Sequence, residues 1–184
     1  MDQTVMLQKV KVRLPENRYS HVIGVIETAT VLAKEFGVSE EKAKIAAILH
    51  DVAKFSDRDW MKSIIEQENM DPRLLEAHTE LWHAPVGAYV AKKEFGITDE
   101  EILDAIRYHT TGRAGMTDLE KVIYIADMVE PNRKFSGVEQ LRSKKEEGID
   151  EMMRACINHS IAFLESKGQP VFPDSLACAA DYEK

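Results

Sequence analysis

The stretch ENRYSHVIGVIETATVLAKEFG, residues 16–37, indicates the fold class of the chain. Its apolar and small residues recur at steps of three and four, which places them along one face of a helix. Gly37 follows the last of them, and a glycine just past the end of a helix is a common stop signal. We therefore predict one long, largely buried helix here, with a stripe formed by Tyr19, Val22, Ile23, Ile26, Ala29, Thr30, Ala33 and Phe36.

The same helical periodicity continues through the rest of the chain, and no segment shows the alternating pattern of a half-buried strand. Capping boxes are predicted at 98–101 and 117–120, since each begins with threonine and has glutamate three residues later. The sequence predicts an all-α helical bundle, a single domain over 1–184 with its core at about 16–168 and a less regular C-terminal tail. Further helices are predicted from Ser39 to His50, at 60–65, 85–95 and 102–109, from Thr117 to Pro131, and from Asp150 to Gly168.

Composition and charge exclude several classes of protein. With 44% hydrophobic residues the 184-residue chain can bury a core, and no apolar run approaches the ~20 residues that a membrane-spanning helix needs. The net charge of −8 argues against a nucleic-acid partner. The N-terminus lacks the pattern of a signal peptide, and the spacing of Cys156 and Cys178 suits neither a disulfide framework nor a metal site. We predict a cytoplasmic protein that does not bind membranes.

Four histidines and two aspartates lie on or beside core-type helices. His21 sits one position off the first stripe, and His50 with Asp51 ends an alanine-rich helix. Asp127 interrupts an apolar run, where an unpaired carboxylate is expensive to bury. Taken singly, each has an ordinary explanation as a hydrogen-bonded core residue, a helix-end charge or an ion pair, and we assign His78 and His159 in that way. The remaining members of the set are His83, which opens a helix, and His109, which closes one. Taken together, these imidazoles and carboxylates form a set of ligands suited to Fe, Mn, Zn or Mg.

The order His21, His50-Asp51, Asp127 resembles the H…HD…D signature of the HD-domain metal-dependent phosphohydrolases. A His-Asp pair alone is weak evidence, but longer segments carry the resemblance further. They resemble the bacterial YqeK subfamily along nearly the whole chain: HDVAK at 50–54, WHAPVGAYVA at 82–91, YHTTGRAGM at 108–116 and YIADMVEPNRKFSGV at 124–138.

This resemblance implies an HD-domain helical bundle around a metal centre, with Asp51 as the central catalytic residue. It implies symmetrical hydrolysis of diadenosine tetraphosphate into two ADP by a metal-activated hydroxide. One metal ion would be held by His21, His50, Asp51 and Asp127. A second site would be completed by His83 and His109, with Asp51 bridging the two. The implied cofactor is iron, one or two ions, with Mn, Zn or Mg as substitutes.

Several cations stand where a polyphosphate substrate needs them. Lys54 follows Asp51 by three residues and is assigned both a catalytic and a binding role, and Arg18 lies one turn before His21. Arg113 lies in the glycine-flanked loop 110–115, where Thr110 and Gly112 would help to cradle phosphate. Arg133 follows the Asp127 helix. The alternative for each cation is an exposed, solvated side chain.

Four other residues are given ordinary roles. Trp60 and Trp82 are placed in the core rather than against a nucleobase. Asp104 and Glu130 are interpreted as surface carboxylates, although either has the chemistry to orient a ligand histidine.

Three other functions stay open. The first is another HD phosphohydrolase, either a nucleotidase or a cyclic-nucleotide phosphodiesterase. The second is a non-catalytic nucleotide-binding module, and the third is an iron oxygenase on the same scaffold. The predicted partner is a small nucleotide, and a homodimer is left open.

Overall fold

A computed structural model describes residues 1–183 and shows, within them, ten α-helices, three short 3-10 helices and no strand. The all-α prediction is confirmed. The α-helices are α1 Gln3–Lys11, α2 Glu16–Phe36, α3 Glu40–Leu49, α4 Arg58–Gln67, α5 His83–Phe95, α6 Glu100–Arg107, α7 Asp118–Val129, α8 Val138–Ser143, α9 Ile149–Ser166 and α10 Pro173–Ala180. The 3-10 helices are Pro72–Glu76, Thr79–Leu81 and Lys144–Glu147.

The helix ends follow the capping signals with one shift. Helix α2 ends at Gly37, whose φ of +71° is the left-handed conformation that favours glycine. The capping box of α7 is formed reciprocally by Thr117 and Glu120, as predicted. The predicted box at 98–101 is wrong by one residue, because the Asp99 side chain, and not that of Thr98, accepts the Glu101 N–H at the start of α6.

Helices α2, α3, α6 and α7 pack against one another in the middle of the bundle, and α5 covers α6. Their shared core is apolar and fully enclosed, and Val22, Leu49, Ile106 and Ile123 in it are each 0% exposed. Polar side chains within α2 and near the ends of α3, α6 and α7 lie close together inside the protein. None of the helices in residues 1–183 is long and apolar enough to span a membrane.

The hydrophobic core extends beyond the predicted range of 16–168. Met6 and Val10 of α1 are buried in it, and so is Cys178 of α10. The C-terminal tail is therefore helical in part and packs on the bundle.

The two tryptophans differ in their surroundings. Trp82 is buried as predicted, and its indole N–H donates to the Leu74 carbonyl at 2.7 Å. The core prediction for Trp60 is wrong: the residue is 37% exposed, because α4 buries its other face through Met61, Ile64 and Ile65.

Candidate metal centre

Five segments bring the six predicted ligands to one place. His21 lies in the second turn of α2, His50 and Asp51 follow the end of α3, and His83 begins α5. The other two are His109, just after α6, and Asp127, near the end of α7. Except for Asp127, whose side chain keeps 16% exposure, all are buried.

Half of the cluster lies around the carboxylates of Asp51 and Asp127. The Nε2 atom of His21 is 2.8 Å from Asp127 Oδ1 and 3.7 Å from Asp51 Oδ2. The Nε2 atom of His50 is 3.2 Å from Asp51 Oδ2 and 3.6 Å from Asp127 Oδ1. Two imidazoles and two carboxylates therefore face one small volume, which we call the first subsite.

The other half lies around the second oxygen of Asp51. Oδ1 of this residue is 3.3 Å from His83 Nε2 and 3.6 Å from His109 Nε2. We call this trio the second subsite. The two oxygens of Asp51 thus face two different pairs of histidines, which is the arrangement that a carboxylate shared between two metal ions requires.

The hydrogen bonds at Nδ1 leave Nε2 as the ring nitrogen that can bind a metal ion. His50, His83 and His109 each place Nδ1 at 2.7 Å from the backbone carbonyl three residues earlier, so Nδ1 carries the proton and donates it. The Nε2 atoms of His83 and His109 then face each other at 3.2 Å, and two lone pairs at that distance repel. A cation between them would remove the repulsion.

Two buried atoms of the cluster have no hydrogen-bond partner in the described part of the chain, residues 1–183, namely His50 Nε2 and Asp51 Oδ1. A buried polar atom without a partner is costly, and both atoms point into the two subsites. The donor set also mixes neutral nitrogen with anionic oxygen, which suits Fe, Mn, Zn or Mg. The residues present therefore fit the metal ions that the sequence predicts.

The electrostatics of the cluster are those of a site built for positive charge. Burial pushes the pKa of Asp51 and Asp127 upward, but the surrounding histidines hold both well below the usual carboxyl value. Burial works against a charged His50, yet the carboxylates of Asp51 and Asp127 raise its pKa to about 10. Burial lowers the pKa of His83. Both carboxylates are therefore ionised across the physiological range.

Three of the predicted cations border the cluster. Arg18 Nε is 2.6 Å from Asp51 Oδ2, and Arg133 donates through Nε to the Asp127 carbonyl at 2.9 Å and lies 3.3 Å from Asp127 Oδ1. Both arginines line an open pocket of about 480 Å³ beside His21. Lys54 lies on the other side, close enough to His83 for its charge to lower the pKa of that histidine. Its ammonium group is 2.8 Å from Glu80 Oε2.

The loop 110–115, which is predicted to help cradle phosphate, also makes contacts within the fold. Arg113 is engaged elsewhere, in a two-point ion pair with Glu120, whose side chain is fully buried, and in a 3.1 Å contact with Asp104. The Gly112 N–H donates to the Tyr108 carbonyl, and a Cβ at Gly112 would meet Cys178 Sγ at 3.0 Å. Arg113 and Gly112 are therefore used by the fold. The Thr110 hydroxyl is buried and has no hydrogen-bond partner among residues 1–183, and the substrate roles of Thr110, Gly112 and Arg113 stay predictions.

Glu130 is the site residue that the surface interpretation missed. It is 1% exposed, and its Oε1 atom is 3.0 Å from His21 Nδ1. The sequence signal is its spacing, three residues after Asp127 and directly after an apolar run. Asp104 does not contact a ligand histidine and pairs with Arg107 and Arg113. His78 and His159 lie apart from the cluster, as predicted: His78 caps a 3-10 helix, and the His159 ring packs near Phe135.

An all-helical bundle with four inward histidines, a His-Asp pair and a later aspartate defines the class of HD-type metal-dependent hydrolases. Comparison with known proteins agrees with this class, since the HD domain family matches residues 18–132. The chain is 52% identical over 175 residues to the symmetrical bis(5'-nucleosyl)-tetraphosphatase of Bacillus subtilis, covering 95% of this chain and 94% of that protein. It is 46% identical to the protein of the same description from Halalkalibacterium halodurans, covering 96% and 95%.

A solved structure from Clostridium acetobutylicum is also similar. It is described as a predicted HD superfamily hydrolase involved in NAD metabolism. It aligns with a TM-score of 0.92 at 34% identity, covering 99% of this chain and 96% of that one. The chain belongs to the HD-domain family and, within it, to the YqeK-type subfamily that these tetraphosphatases represent.

Proposed function

We propose that the chain hydrolyses diadenosine tetraphosphate, and related dinucleoside polyphosphates, symmetrically to two ADP. The observation that carries this proposal is the shared Asp51, whose two oxygens face two histidine pairs in a buried cluster bordered by cations. The similarity over nearly the full length to relatives described as symmetrical tetraphosphatases supports the choice of substrate.

We propose His21, His50, Asp51 and Asp127 as ligands of one metal ion, and His83, His109 and Asp51 as ligands of the second. Iron is the proposed metal, with Mn, Zn or Mg able to replace it. When bound, such ions act as Lewis acids and lower the pKa of water towards ~7, so that a hydroxide nucleophile exists at neutral pH.

The chain's own contribution to substrate binding is positive charge on both sides of the cluster. Arg18 and Arg133 contact the cluster through Nε and Nη2. The Nη1 group of each arginine has no hydrogen-bond partner among residues 1–183. These groups are available to donate to phosphate oxygens, and guanidinium–phosphate bonds are among the stronger ones in proteins. Lys54 offers a charge on the His83 side. The three cations would hold a polyphosphate across the cluster.

The same cations would neutralise charge as the central anhydride bond breaks. Water adds to a β-phosphorus, the bond to the bridging oxygen opens, and the departing ADP carries the new negative charge on phosphate oxygens. Arg18, Arg133 and Lys54 lower the energy of that charge because they are already in place when it forms. Burial of the cluster strengthens these interactions further.

Product analysis tests this function. The metal-loaded protein is incubated with diadenosine tetraphosphate, and the nucleotides are separated by anion-exchange chromatography. The proposal expects ADP as the sole product. Formation of ATP plus AMP, or no turnover, would refute it, and faster turnover of mononucleotides or cyclic nucleotides would favour the other HD phosphohydrolase activities.

We also propose a cytoplasmic location, which the two unpaired, buried cysteines support because thiols persist in reducing compartments. A homodimer stays open, and light scattering of the purified chain would decide between monomer and dimer.

A further inference from the structure

His21 is held differently from the other three histidines of the cluster. His50, His83 and His109 lie at helix ends, where a backbone carbonyl three residues earlier accepts the Nδ1 proton. His21 lies inside α2, where the carbonyls of the preceding turn accept helix N–H groups instead. A histidine in the body of a helix needs a side chain to fix its ring.

Glu130 is that side chain. Its Oε1 atom is 3.0 Å from His21 Nδ1, and its Oε2 atom accepts the Asn132 N–H at 2.8 Å. The carboxylate occupies the space where α2 has no side chain, since a Cβ at Gly24 would lie 2.1 Å from Oε2. Gly24 is one turn after His21, so the glycine lets Glu130 reach the ring from within the bundle.

Arg142 of α8 fixes the backbone that carries Glu130. Its guanidinium donates to three carbonyls: that of Val129 at 2.9 Å, that of Glu130 at 2.8 Å and that of Arg133 at 3.0 Å. A planar group with several donors in fixed directions suits this task, and glutamine, with two donors, cannot make all three bonds. The turn after α7 is thereby tied to α8.

We propose that Glu130 is a positioning residue that fixes His21 for metal coordination, and that Arg142 holds Glu130 in place. Neither residue is a ligand. Glu130 acts by accepting the Nδ1 proton, which orients the ring, exposes the Nε2 lone pair to the first subsite and makes His21 a stronger donor. This inference rests on the metal centre of the proposed function.

The test is the affinity of the metal-stripped full chain for Co²⁺, followed by the visible absorption of the bound ion. We expect Glu130→Ala and Gly24→Ala to weaken binding about 10–100-fold, the range found when a partner of a ligand histidine is lost. The Co²⁺ affinity of Glu130→Gln should lie between that of these two variants and that of the unchanged protein, because the glutamine amide oxygen can still accept the hydrogen bond from His21 Nδ1. Arg142→Gln should also weaken Co²⁺ binding, although Arg142 contacts none of the proposed metal ligands.

Gly87→Ala is the matched control. Gly87 is also a helical glycine beside the cluster, but a Cβ there would lie 3.5 Å or more from its neighbours, which is ordinary contact. Its Co²⁺ affinity and spectrum should match those of the unchanged chain.

Glu130→Ala with unchanged affinity and spectrum would overturn the proposal, as would equal effects of Gly24→Ala and Gly87→Ala. If Glu130→Ala fails to fold, the two glycine variants and Glu130→Gln decide the matter. An unchanged chain that binds no Co²⁺ would refute the metal centre itself. Co²⁺ binding without formation of ADP would refute only the proposed substrate.

Discussion

Replacement of Arg113 by alanine separates a role in the fold from a role in substrate binding. In the structure its Nε and Nη2 atoms lie 2.8 and 3.0 Å from the two oxygens of Glu120, which is fully buried. Removing one partner of a buried ion pair costs about 3–5 kcal/mol, because the remaining charge stays buried without its counter-ion. Arg113 itself is 31% exposed, so water offsets part of the loss and we expect about 3 kcal/mol.

For a chain of this length, ~3 kcal/mol corresponds to a fall in Tm of about 6–12 °C. The assay is urea unfolding of the metal-stripped protein, followed by circular dichroism, beside steady-state kinetics of the metal-loaded protein. We expect Arg113→Ala to lower the free energy of unfolding while KM for diadenosine tetraphosphate stays close to that of the unchanged protein.

Arg73→Ala provides the control, since Arg73 pairs with Asp71 and Asp174 at 48% exposure and should cost at most about 1 kcal/mol. An Arg113→Ala protein of unchanged stability and greatly raised KM would refute our interpretation. That result would support the phosphate-cradle prediction for the loop 110–115.

Three further predictions concern the cluster and its surroundings. At pH 7 the His50 ring is in its charged, doubly protonated form in the metal-free protein, because its pKa is about 10. Mn²⁺ binding should therefore release about one proton and weaken as pH falls. Calorimetry in buffers of different ionisation enthalpy measures the proton release, and binding without release would contradict the prediction. Lys54→Ala should lower kcat/KM about 10–100-fold, because one charge-assisted bond to phosphate is lost, while the metal content stays unchanged. A variant with the same kcat/KM as the unchanged protein would exclude a phosphate contact. Gly112→Ala should destabilise the fold more than Gly37→Ala in thermal unfolding. Both glycines have positive φ, but only at Gly112 does the added Cβ meet another side chain, Cys178.

The sequence was sufficient to predict the helical fold and the composition of the cluster. Apolar residues at helical spacing predicted α2, and the resemblance to HD-domain proteins pointed to His21, His50, Asp51 and Asp127. Their meeting in one buried place follows from helix packing, because α2, α3, α6 and α7, which carry these residues or end beside them, contact one another in the core.

Sequence spacing could not show contacts between residues that it does not relate. Arg113 was predicted to bind phosphate because of its glycine-flanked loop, and the sequence did not show that its side chain pairs with Glu120, buried at the start of α7. Glu130 was expected at the surface, yet the turn that Arg142 holds folds it back onto His21. Trp60 was expected in the core, but α4 turns its other face inward. Each outcome depends on tertiary packing that local pattern does not encode.

The central claim, that Asp51 is shared between two metal-binding subsites and is needed for hydrolysis, is tested most directly by Asp51→Ala. Metal content of the purified chain is measured by elemental analysis, and formation of ADP from diadenosine tetraphosphate is followed in the same samples. Asp51→Asn, which keeps the shape of the side chain, and circular dichroism report on folding. We predict that the folded variants lose both bound metal and ADP formation. An Asp51→Ala protein that retains its metal and its activity would contradict the account.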